Sequence, residues 1–375
     1  MNMVEHLNEQ FEFWIVTRDR DLGDHSQYPG IEANQWLKIG NAHIYYVAPA
    51  YSSIRTIAQI ISQTPHDLLY LNSFFDLTFT AKPLLASKIC RSLKKPIIIA
   101  PRGELSPAAL RIKRIRKSVY LACFRLARLH RQIVFQASTK IEAEEMADKL
   151  GVSAQKIEIA VDLPKKVSNP GTLCSSRAPH VSAGILKVIF LSRIVPIKNL
   201  DYALQVLAQV TKKRVEFDIY GPQEDPEYWK TCEELISNLP ENICARYKGN
   251  VLPSDVQNIF SLYDLFFFPT QGENYGHVIA ESLSVGTPVL ISDRTPWLNL
   301  DAEGLGWELP LYSLTEFVKK IESLDIQTDD LRCQRRRDVQ HRAIARLLNP
   351  AAIQASRKLF DSLLNDNRQH SRPTV

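Results

Sequence analysis

The stretch Asp264–Trp297, DLFFFPTQGENYGHVIAESLSVGTPVLISDRTPW, decides the fold of this chain. Its Phe-rich run Leu265–Pro269 has the composition of a buried parallel strand. The pattern then breaks into polar and glycine residues, restarts with helical periodicity at His277 and ends in a second apolar run, Pro288–Ile291. The stretch therefore predicts a strand–loop–helix–strand unit. Open α/β sheets bind ligands in such loops, beyond the carboxyl ends of the strands.

Two carboxylates bracket this loop. Glu273 lies within it, and Glu281 follows His277 by four residues, so that Glu281 and His277 project from the same helix face. Backbone N–H groups around Gly276 and His277, together with the positive end of the helix dipole, would form an anion site between the carboxylates. This combination predicts a nucleotide-sugar site. The alternative is that Glu273 starts the helix and Glu281 lies on its surface, which is the more common role for an isolated pair of glutamates.

The bulk composition is that of a globular protein with two domains. The chain has 375 residues, of which 45% are hydrophobic and 23% are charged, and its net charge is +5. No stretch approaches the ~20 apolar residues of a transmembrane helix, and Glu5 and Glu9 argue against a signal peptide. The six cysteines show no CxxC spacing, so neither a zinc site nor a disulfide framework is indicated. We therefore expect a cytoplasmic protein.

Strand-like and helix-like runs alternate through both halves, which predicts doubly wound parallel sheets. In the first half we predict strands at Phe13–Thr17, Ile44–Val47, Leu68–Leu71, Pro96–Ala100 and Ile133–Ala137, and helices at Tyr51–Thr64 and Thr80–Leu93. In the second half we add strands at Leu186–Ser192, Val215–Tyr220 and after Gly306, helices near Asn199–Val210, Glu227–Leu239 and Leu314–Leu324, and two Arg-rich helices ending near Leu364. The predicted domains are 1–161 and 186–348, with a linker at 162–185 and a C-terminal helix and tail at 349–375.

Two cations are predicted at the same sheet edge as the glutamate loop. Arg193 ends the strand Leu186–Ser192, and Lys198 precedes a helix that Asn199 could cap. Arginine and lysine are common phosphate partners, so the pair would suit a diphosphate. Two solvated loop cations are the alternative. Gly221 ends the next strand, where a residue without a side chain would let a ligand approach the backbone.

Several of these blocks together resemble a known family. The matching text is LSRIVPIKNLDYAL (Leu191–Leu204), DIYGP (Asp218–Pro222), the loop and helix quoted above, and GLGWELP (Gly304–Pro310). It is similar to retaining nucleotide-sugar glycosyltransferases of the GT-B fold, family 4. The segment APRGELSPAALRIKRIRK (Ala100–Lys117) resembles the first domain of bacterial surface-polysaccharide members. The resemblance spans nearly the whole chain and implies an α/β GT-B fold, with two Rossmann-like doubly wound parallel-sheet domains facing a cleft.

The resemblance also implies roles for individual residues. The cations would hold the donor diphosphate and stabilise its growing charge, and Glu273 would hold hydroxyls of the donor sugar. The implied catalytic residues are Arg193, Lys198 and Glu273. The implied donor-binding residues are Tyr275, Gly276, His277, Glu281 and Gly221, with Glu281 on the ribose. Family members work without a metal, so we expect no metal and no cofactor besides the nucleoside-diphosphate sugar.

Residues of the first domain are candidates for the acceptor side. Arg102 and Glu104 follow the strand Pro96–Ala100 and would face the cleft; the alternative is that they only pair with each other. Ser138 and Thr139 follow the next predicted strand and are expected to cap a helix.

The segment 111–131 combines an apolar stripe with many cations and no acidic residue. The stripe consists of Ile112, Ile115, Val119, Ala122, Leu126 and Leu129, and the cations are Arg111, Lys113, Arg114, Arg116, Lys117, Arg125, Arg128 and Arg131. Such a helix could rest on an anionic membrane surface or pack on the first domain as an ordinary surface helix. No recognised nucleic-acid module surrounds it, so we expect no nucleic-acid partner.

The predicted function is metal-independent transfer of a hexose, with retention, from a nucleoside-diphosphate sugar to a surface-glycan acceptor. We expect a lipid-linked acceptor, as in polysaccharide or lipopolysaccharide biosynthesis, and a cytoplasmic protein peripheral to the inner face of the cell membrane. Only twelve residues precede Phe13, so the first strand–loop–helix unit of the family is expected to be absent. Two alternatives therefore stay open: a non-catalytic or truncated nucleotide-sugar-binding relative, and a GT-B nucleotide-sugar epimerase.

Overall fold

The chain divides into two units, each built on parallel strands. A computed structural model describes residues 1–20, 26–89, 95–129, 133–166, 184–325 and 329–370. Unit 1 consists of Met1–Leu163 and Pro350–Val375, and unit 2 consists of Pro164–Asn349. The predicted α/β class with two parallel-sheet domains is confirmed. Most of the predicted linker, residues 167–183, lies outside the described residues.

The described residues of unit 1 form two sheets. Its elements are α1 (Asn2–Leu7), β1 (Phe13–Arg18), β2 (Trp36–Ile39), β3 (Ala42–Val47), α2 (Ile54–Gln63), β4 (Leu69–Asn72), α3 (Lys82–Ile89), β5 (Ile97–Ala100), α4 (Pro107–Arg111), α5 (Arg114–Leu126), β6 (Ile133–Ala137), α6 (Lys140–Leu150) and β7 (Ile157–Ile159). The smaller sheet has the order β1-β3-β2 and the larger has the order β4-β5-β6-β7. The strand β2 is antiparallel to β3, and the other pairs are parallel. The five strands predicted here are confirmed to within two residues.

The strand β5, inside the larger sheet of unit 1, is buried on both faces. Successive residues of a strand point to opposite faces, and Ile97 and Ile99 accordingly join a cluster that includes Phe124 of α5. Ile98 joins a different cluster on the other face, together with Phe360 of the C-terminal helix. An all-apolar strand is therefore needed at β5, because each of its side chains meets a layer of helices.

Unit 2 contains one sheet of six parallel strands. Its elements are β8 (Ile185–Leu191), α7 (Leu200–Ala208), β9 (Arg214–Tyr220), α8 (Pro226–Ser237), β10 (Ile243–Tyr247), α9 (Val256–Phe260), β11 (Leu265–Phe268), α10 (His277–Ser284), β12 (Val289–Ser292), α11 (Leu300–Glu303), β13 (Gly306–Leu309), α12 (Leu314–Ser323) and α13 (Asp329–Leu348). The chain then ends in α14 (Pro350–His370), which packs in unit 1 against α1. The strand–loop–helix–strand unit predicted from the opening stretch is confirmed as β11, α10 and β12.

The strand order of unit 2 places two loops at a topological switch point. The order is β10-β9-β8-β11-β12-β13, so the chain winds outward from β8 in one direction and from β11 in the other. In open parallel sheets the ligand crevice lies where the winding direction reverses, outside the carboxyl ends of the strands. The loops after β8 and β11 carry Lys198 and Glu273, so the fold brings these two predicted residues to one place.

Candidate functional site

The loops after β8 and β11 are joined by hydrogen bonds. The Gln271 N–H and the Thr270 hydroxyl both donate to the Ile197 carbonyl, at 2.8 and 3.0 Å. The Asn199 side chain donates to the Pro269 carbonyl at 2.8 Å and accepts from the Gln271 amide. Asn199 precedes α7 in a left-handed conformation and makes no side-chain cap. Its side chain fixes the neighbouring loop instead, so the expected cap is wrong at this position.

Lys198 and Glu273 form a salt bridge with each other. Their side chains are only 13% and 14% exposed, and the Lys198 ammonium also lies 5.7 Å from the centre of the Phe268 ring. The Glu273 N–H donates to the Arg294 carbonyl at 3.1 Å, which anchors the loop on its far side. The ammonium has three N–H donors, so a phosphate entering this loop could share it with Glu273.

Arg193 lies farther out on the same sheet edge. Its side chain is 55% exposed, and one guanidinium nitrogen lies 3.1 Å from a carboxylate oxygen of Glu224 in the loop after β9. Exposed ion pairs of this kind contribute about 0–1 kcal/mol. An entering anion could therefore draw the guanidinium away from Glu224 at little cost.

The start of α10 leaves its backbone N–H groups open to close approach by a ligand. Gly276 is the residue before the helix, has φ +79° and offers no side-chain cap. A Cβ at this position would lie 2.8 Å from Ile279 Cδ1 and 3.4 Å from the Trp297 ring nitrogen. That ring nitrogen donates to the Tyr275 carbonyl at 2.6 Å, which holds the turn in place. Uncapped helix starts of this form bind anions through backbone N–H groups and the helix dipole.

Rings and a carboxylate surround this helix start. The Tyr275 and His277 rings lie 4.7 Å apart. Glu281 lies one turn into α10, where burial raises the pKa of its carboxyl group and the charge of Lys165 partly opposes that rise. Among the described residues Glu281 takes part in no salt bridge. Its carboxylate can therefore accept hydrogen bonds from hydroxyl groups of a ligand. Lys165 was not predicted, because it lies at the edge of the linker and outside any motif.

Gly221 is explained by chain packing. It has φ +127°, and a Cβ there would lie 1.9 Å from the carbonyl oxygen of Ser192. Its N–H donates to Gly249 and its carbonyl accepts from the Tyr247 hydroxyl, each at 2.9 Å. The missing side chain lets β8 and β9 come together at their carboxyl ends, a role that requires no ligand.

Arg102 belongs to a hydrogen-bond network within unit 1. Its guanidinium donates to Asn72 at 2.9 Å and to the Tyr70 hydroxyl at 2.7 Å, and it forms an ion pair with Asp162. The Tyr70 hydroxyl in turn donates to Gln136 at 2.7 Å. All three guanidinium nitrogens thus have partners inside the unit.

Glu104 has different partners from Arg102, so the alternative that the two only pair with each other is wrong. One Glu104 oxygen accepts from the Ser73 hydroxyl at 2.8 Å. The other accepts from the Phe74 and Phe75 N–H groups, at 2.6 and 3.1 Å. Glu104 therefore caps a loop, and its use toward an acceptor stays a prediction.

Glu142 is a structural residue that sequence analysis missed. Its buried carboxylate accepts from the Gly103 and Ser138 N–H groups, at 2.6 and 2.7 Å. Thr139 caps α6 as expected, accepting from the Glu142 N–H at 3.1 Å. A detectable signal existed, because T-x-x-E is a capping-box pattern whose glutamate reaches back toward the helix start.

The described residues contain neither a cluster of metal-binding side chains nor a membrane-spanning helix. Within that part of the chain there is no group of three or more His, Cys, Asp or Glu side chains placed to hold a metal ion. In the same ranges no helix has both the length and the apolar character needed to cross a bilayer.

Comparisons with known proteins agree with this geometry. Residues 178–337 match the family described as glycosyl transferases group 1. The chain is 26% identical over 300 residues to the alpha-monoglucosyldiacylglycerol synthase of Streptococcus pneumoniae, covering 76% of this chain and 64% of that protein. It is 27% identical over 165 residues to the D-inositol 3-phosphate glycosyltransferase of Segniliparus rotundus, covering 41% and 35%. The chain thus spans less than two thirds of the length of these relatives.

Solved structures share the fold over nearly the whole chain. Anabaena HepE in complex with UDP-glucose superposes with a TM-score of 0.63 at 16% identity, covering 93% of this chain and all of that one. The alpha,alpha-trehalose-phosphate synthase (UDP-forming) of Burkholderia vietnamiensis superposes with a TM-score of 0.65 at 13% identity, covering 98% and 100%. The chain therefore has the GT-B fold, and the part of it that matches the glycosyl transferases group 1 family is residues 178–337.

Proposed function

We propose that this chain transfers a sugar, with retention of anomeric configuration, from a nucleoside diphosphate to a lipid-linked glycan. The observation that supports this most directly is the arrangement at the switch point of unit 2. There the Lys198–Glu273 pair, the uncapped start of α10 and the partly buried Glu281 occupy one edge of the sheet. Cations, helix-start amides and the carboxylate of Glu281 at one sheet edge match the phosphates and hydroxyls of a nucleotide sugar.

Each part of the donor has a partner in this proposal. The amides around Tyr275, Gly276 and His277 hold the diphosphate. Glu281 accepts from the ribose hydroxyls, and Glu273 accepts from hydroxyls of the sugar.

The chemical step needs stabilisation of the leaving group. As the bond between the anomeric carbon and the phosphate oxygen breaks, negative charge grows on the diphosphate. Lys198 and Arg193 lie at the same sheet edge and would stabilise that charge together with the dipole of α10. In this proposal the two cations supply the positive charge that a bound metal ion supplies in other transferases, so transfer proceeds without one.

The acceptor and the nucleotide are proposed from relatives. The S. pneumoniae relative is by name a synthase of a glucosylated diacylglycerol, which supports an acceptor carried on lipid. Two structural neighbours hold uridine nucleotides: HepE is bound to UDP-glucose, and a Staphylococcus aureus TarM variant is bound to UDP. We therefore propose a UDP-hexose donor and an acceptor that belongs to surface polysaccharide or lipopolysaccharide assembly.

The test is release of nucleoside diphosphate from a panel of UDP-, GDP-, ADP- and dTDP-sugars. Each donor is incubated with the full chain, alone and with lipid-linked glycans in detergent micelles. We expect slow release of nucleoside diphosphate without an acceptor and much faster release with the matching acceptor. The transferred sugar should have the same anomeric configuration, α or β, in the product as in the donor. Glu273→Gln should weaken donor binding and lose transfer.

Two outcomes would overturn this proposal in favour of a specific alternative. Conversion of the donor sugar to an epimer without any acceptor, seen as a new set of sugar resonances, would identify an epimerase. Donor binding with no release for any acceptor would identify a non-catalytic binding protein.

A further inference from the structure

The helix α5 has two apolar faces on opposite sides. Tyr120 and Phe124 pack inward, where their rings lie 5.5 and 4.9 Å from the Phe74 ring. Ile115 and Leu126 point outward and are 80% and 84% exposed. At 3.6 residues per turn, positions 115, 119, 122 and 126 form one narrow stripe, directly opposite positions 120 and 124. Packing within unit 1 therefore explains the inner face of α5 and leaves the outer stripe in water.

Cations flank the exposed stripe on both sides. In helical projection Arg114 and Arg125 lie on one side of it and Arg116 on the other. From position 105 to position 141 the chain contains no acidic residue. The described salt bridges of unit 1 use other side chains. The cations are therefore not balanced by acidic residues within this stretch; on α6, the Arg125 guanidinium interacts with Asp148 and donates to the Lys149 carbonyl.

Neighbouring segments extend the apolar surface. Ile112, in the turn before α5, is 55% exposed, and Val119 within the stripe is 57% exposed. The ammonium of Lys88 in α3 donates to the Ala127 carbonyl, which brings the end of α3 beside the end of α5. Ile89, the last residue of α3, is 74% exposed. Exposed aliphatic side chains in this number are unusual for a solvated surface and indicate contact with an apolar phase.

We propose that the outer face of α5, defined by Ile112, Ile115, Val119 and Leu126 with the flanking arginines, docks on the surface of an anionic lipid bilayer. The helix would lie in the plane of the interface, its aliphatic stripe among the acyl chains and its arginines at the lipid phosphates. This docking rests on the proposed function for its purpose, because it would place the protein where a lipid-linked acceptor is. The surface itself is independent of the donor site.

Charge and apolar character together favour a bilayer over other partners. A nucleic acid would neutralise the arginines but leave the aliphatic stripe in water. An acidic protein could cover both, but a bilayer supplies negative phosphates and hydrocarbon over an area of any shape. Each cation near an anionic membrane surface strengthens binding by up to about fivefold, and the buried stripe adds a contribution that salt does not screen.

The test is flotation of the full chain with vesicles of phosphatidylcholine, with and without phosphatidylglycerol. We expect binding to the anionic vesicles that weakens as salt is raised. Arg114→Gln/Arg116→Gln should weaken it by up to about twenty-five-fold. Ile115→Ser/Leu126→Ser should weaken it by at least about tenfold, and should do so at high salt as well.

A matched control uses an exposed aliphatic residue elsewhere in unit 1. Ile141 in α6 is 69% exposed, and Ile141→Ser should leave flotation unchanged. Circular dichroism of every variant checks folding, and donor binding measured on the same samples should not change. Wild-type protein that floats with anionic vesicles but binds no donor would count against the proposed function alone.

Three results would overturn the docking proposal. Wild-type protein that stays at the bottom of the gradient with anionic vesicles would exclude it. Equal flotation of Ile115→Ser/Leu126→Ser and wild type would show that the stripe does not contact lipid. Binding to a short RNA or DNA duplex in preference to the vesicles, lost in the arginine variant only, would assign the surface to nucleic acid.

Discussion

Removing the charge of Lys198 should destabilise unit 2. The Lys198→Met variant keeps most of the apolar stem and leaves the Glu273 carboxylate, only 14% exposed, without its salt-bridge partner. Breaking a buried ion pair by deleting one partner costs about 3–5 kcal/mol. Because about one seventh of each side chain still reaches water, we expect a loss near the lower end, roughly 3 kcal/mol.

A double-mutant cycle separates the pair from its surroundings. Glu273→Gln alone leaves the ammonium unpaired, whereas Lys198→Met/Glu273→Gln removes both charges. We expect the double variant to lose less than the sum of the single variants by about 2 kcal/mol. The free energy of unfolding of each variant is measured by urea unfolding, with tryptophan fluorescence as the signal. All variants carry Trp14→Phe and Trp36→Phe. The three remaining tryptophans then all report on unit 2.

The same variants separate structure from function. If Lys198 and Glu273 also bind the donor, the double variant should regain stability but not affinity for the nucleotide sugar, because it still lacks the Lys198 ammonium. Unchanged stability of Lys198→Met, or strictly additive losses around the cycle, would refute the claim that this salt bridge holds the two loops together.

Three further variants test the remaining parts of the account. Burial raises the pKa of Glu281, so the folded state binds its proton more tightly than the unfolded state and stability falls as pH rises from the unfolded-state pKa through the folded-state pKa. Glu281→Gln should therefore raise Tm at neutral pH but not in acid below the ordinary carboxyl range, and an equal shift at both would contradict this. Gly276→Ala should lower the free energy of unfolding by about 1–2 kcal/mol, because alanine is strained in the left-handed conformation of this residue, and it should weaken donor binding. The Cβ of Gly272→Ala would meet open space, so this control should change neither stability nor donor binding. Arg102→Leu should cost roughly 3 kcal/mol by leaving Asp162 unpaired with donor affinity intact; a normal urea midpoint with a raised acceptor KM would show acceptor contact instead.

Strands buried on both faces could be predicted from sequence, whereas two partly exposed edge strands, Trp36–Ile39 and Ile243–Tyr247, could not. Leu265–Phe268 is fully buried and reads as a continuous apolar run. Ile243–Tyr247 lies at the edge of the sheet with only Ile243 buried, so its sequence carries polar residues and no clear period. The short antiparallel strand Trp36–Ile39 was missed for the same reason, because half of it faces water.

Local features of the site were visible in the sequence, but long-range pairings were not. The glycine at 276 and the spacing of Glu273 and Glu281 belong to one continuous motif. The salt bridge of Lys198 with Glu273 joins residues 75 positions apart. Nothing in either segment specifies that partner, because the pairing follows from the strand order that places β8 beside β11.

In the loop PRGEL the position of the polar residues was predicted correctly, and their role toward an acceptor stays a prediction. Arg102 and Glu104 follow a strand as predicted, and polar residues at that place favour a binding role. In the structure each of them bonds to groups within unit 1. The sequence alone does not distinguish a charged side chain that binds a ligand from one that stabilises a loop, because both occur at the carboxyl ends of strands.

The most direct test of the central claim is donor binding at the carboxyl edge of the unit 2 sheet. Ligand-observed NMR with UDP-, GDP-, ADP- and dTDP-sugars would compare wild type, Glu281→Ala and the control Glu241→Ala, whose exposed carboxylate precedes β10 at the opposite edge of the sheet. We expect selective binding of one nucleotide. Glu281→Ala should weaken that binding by about ten- to a hundredfold, since a hydrogen bond to a charged group contributes about 1.5–3 kcal/mol, and Glu241→Ala should leave it unchanged. Folded wild-type protein that binds none of these donors, or a Glu281→Ala variant that binds as tightly as wild type, would contradict the claim.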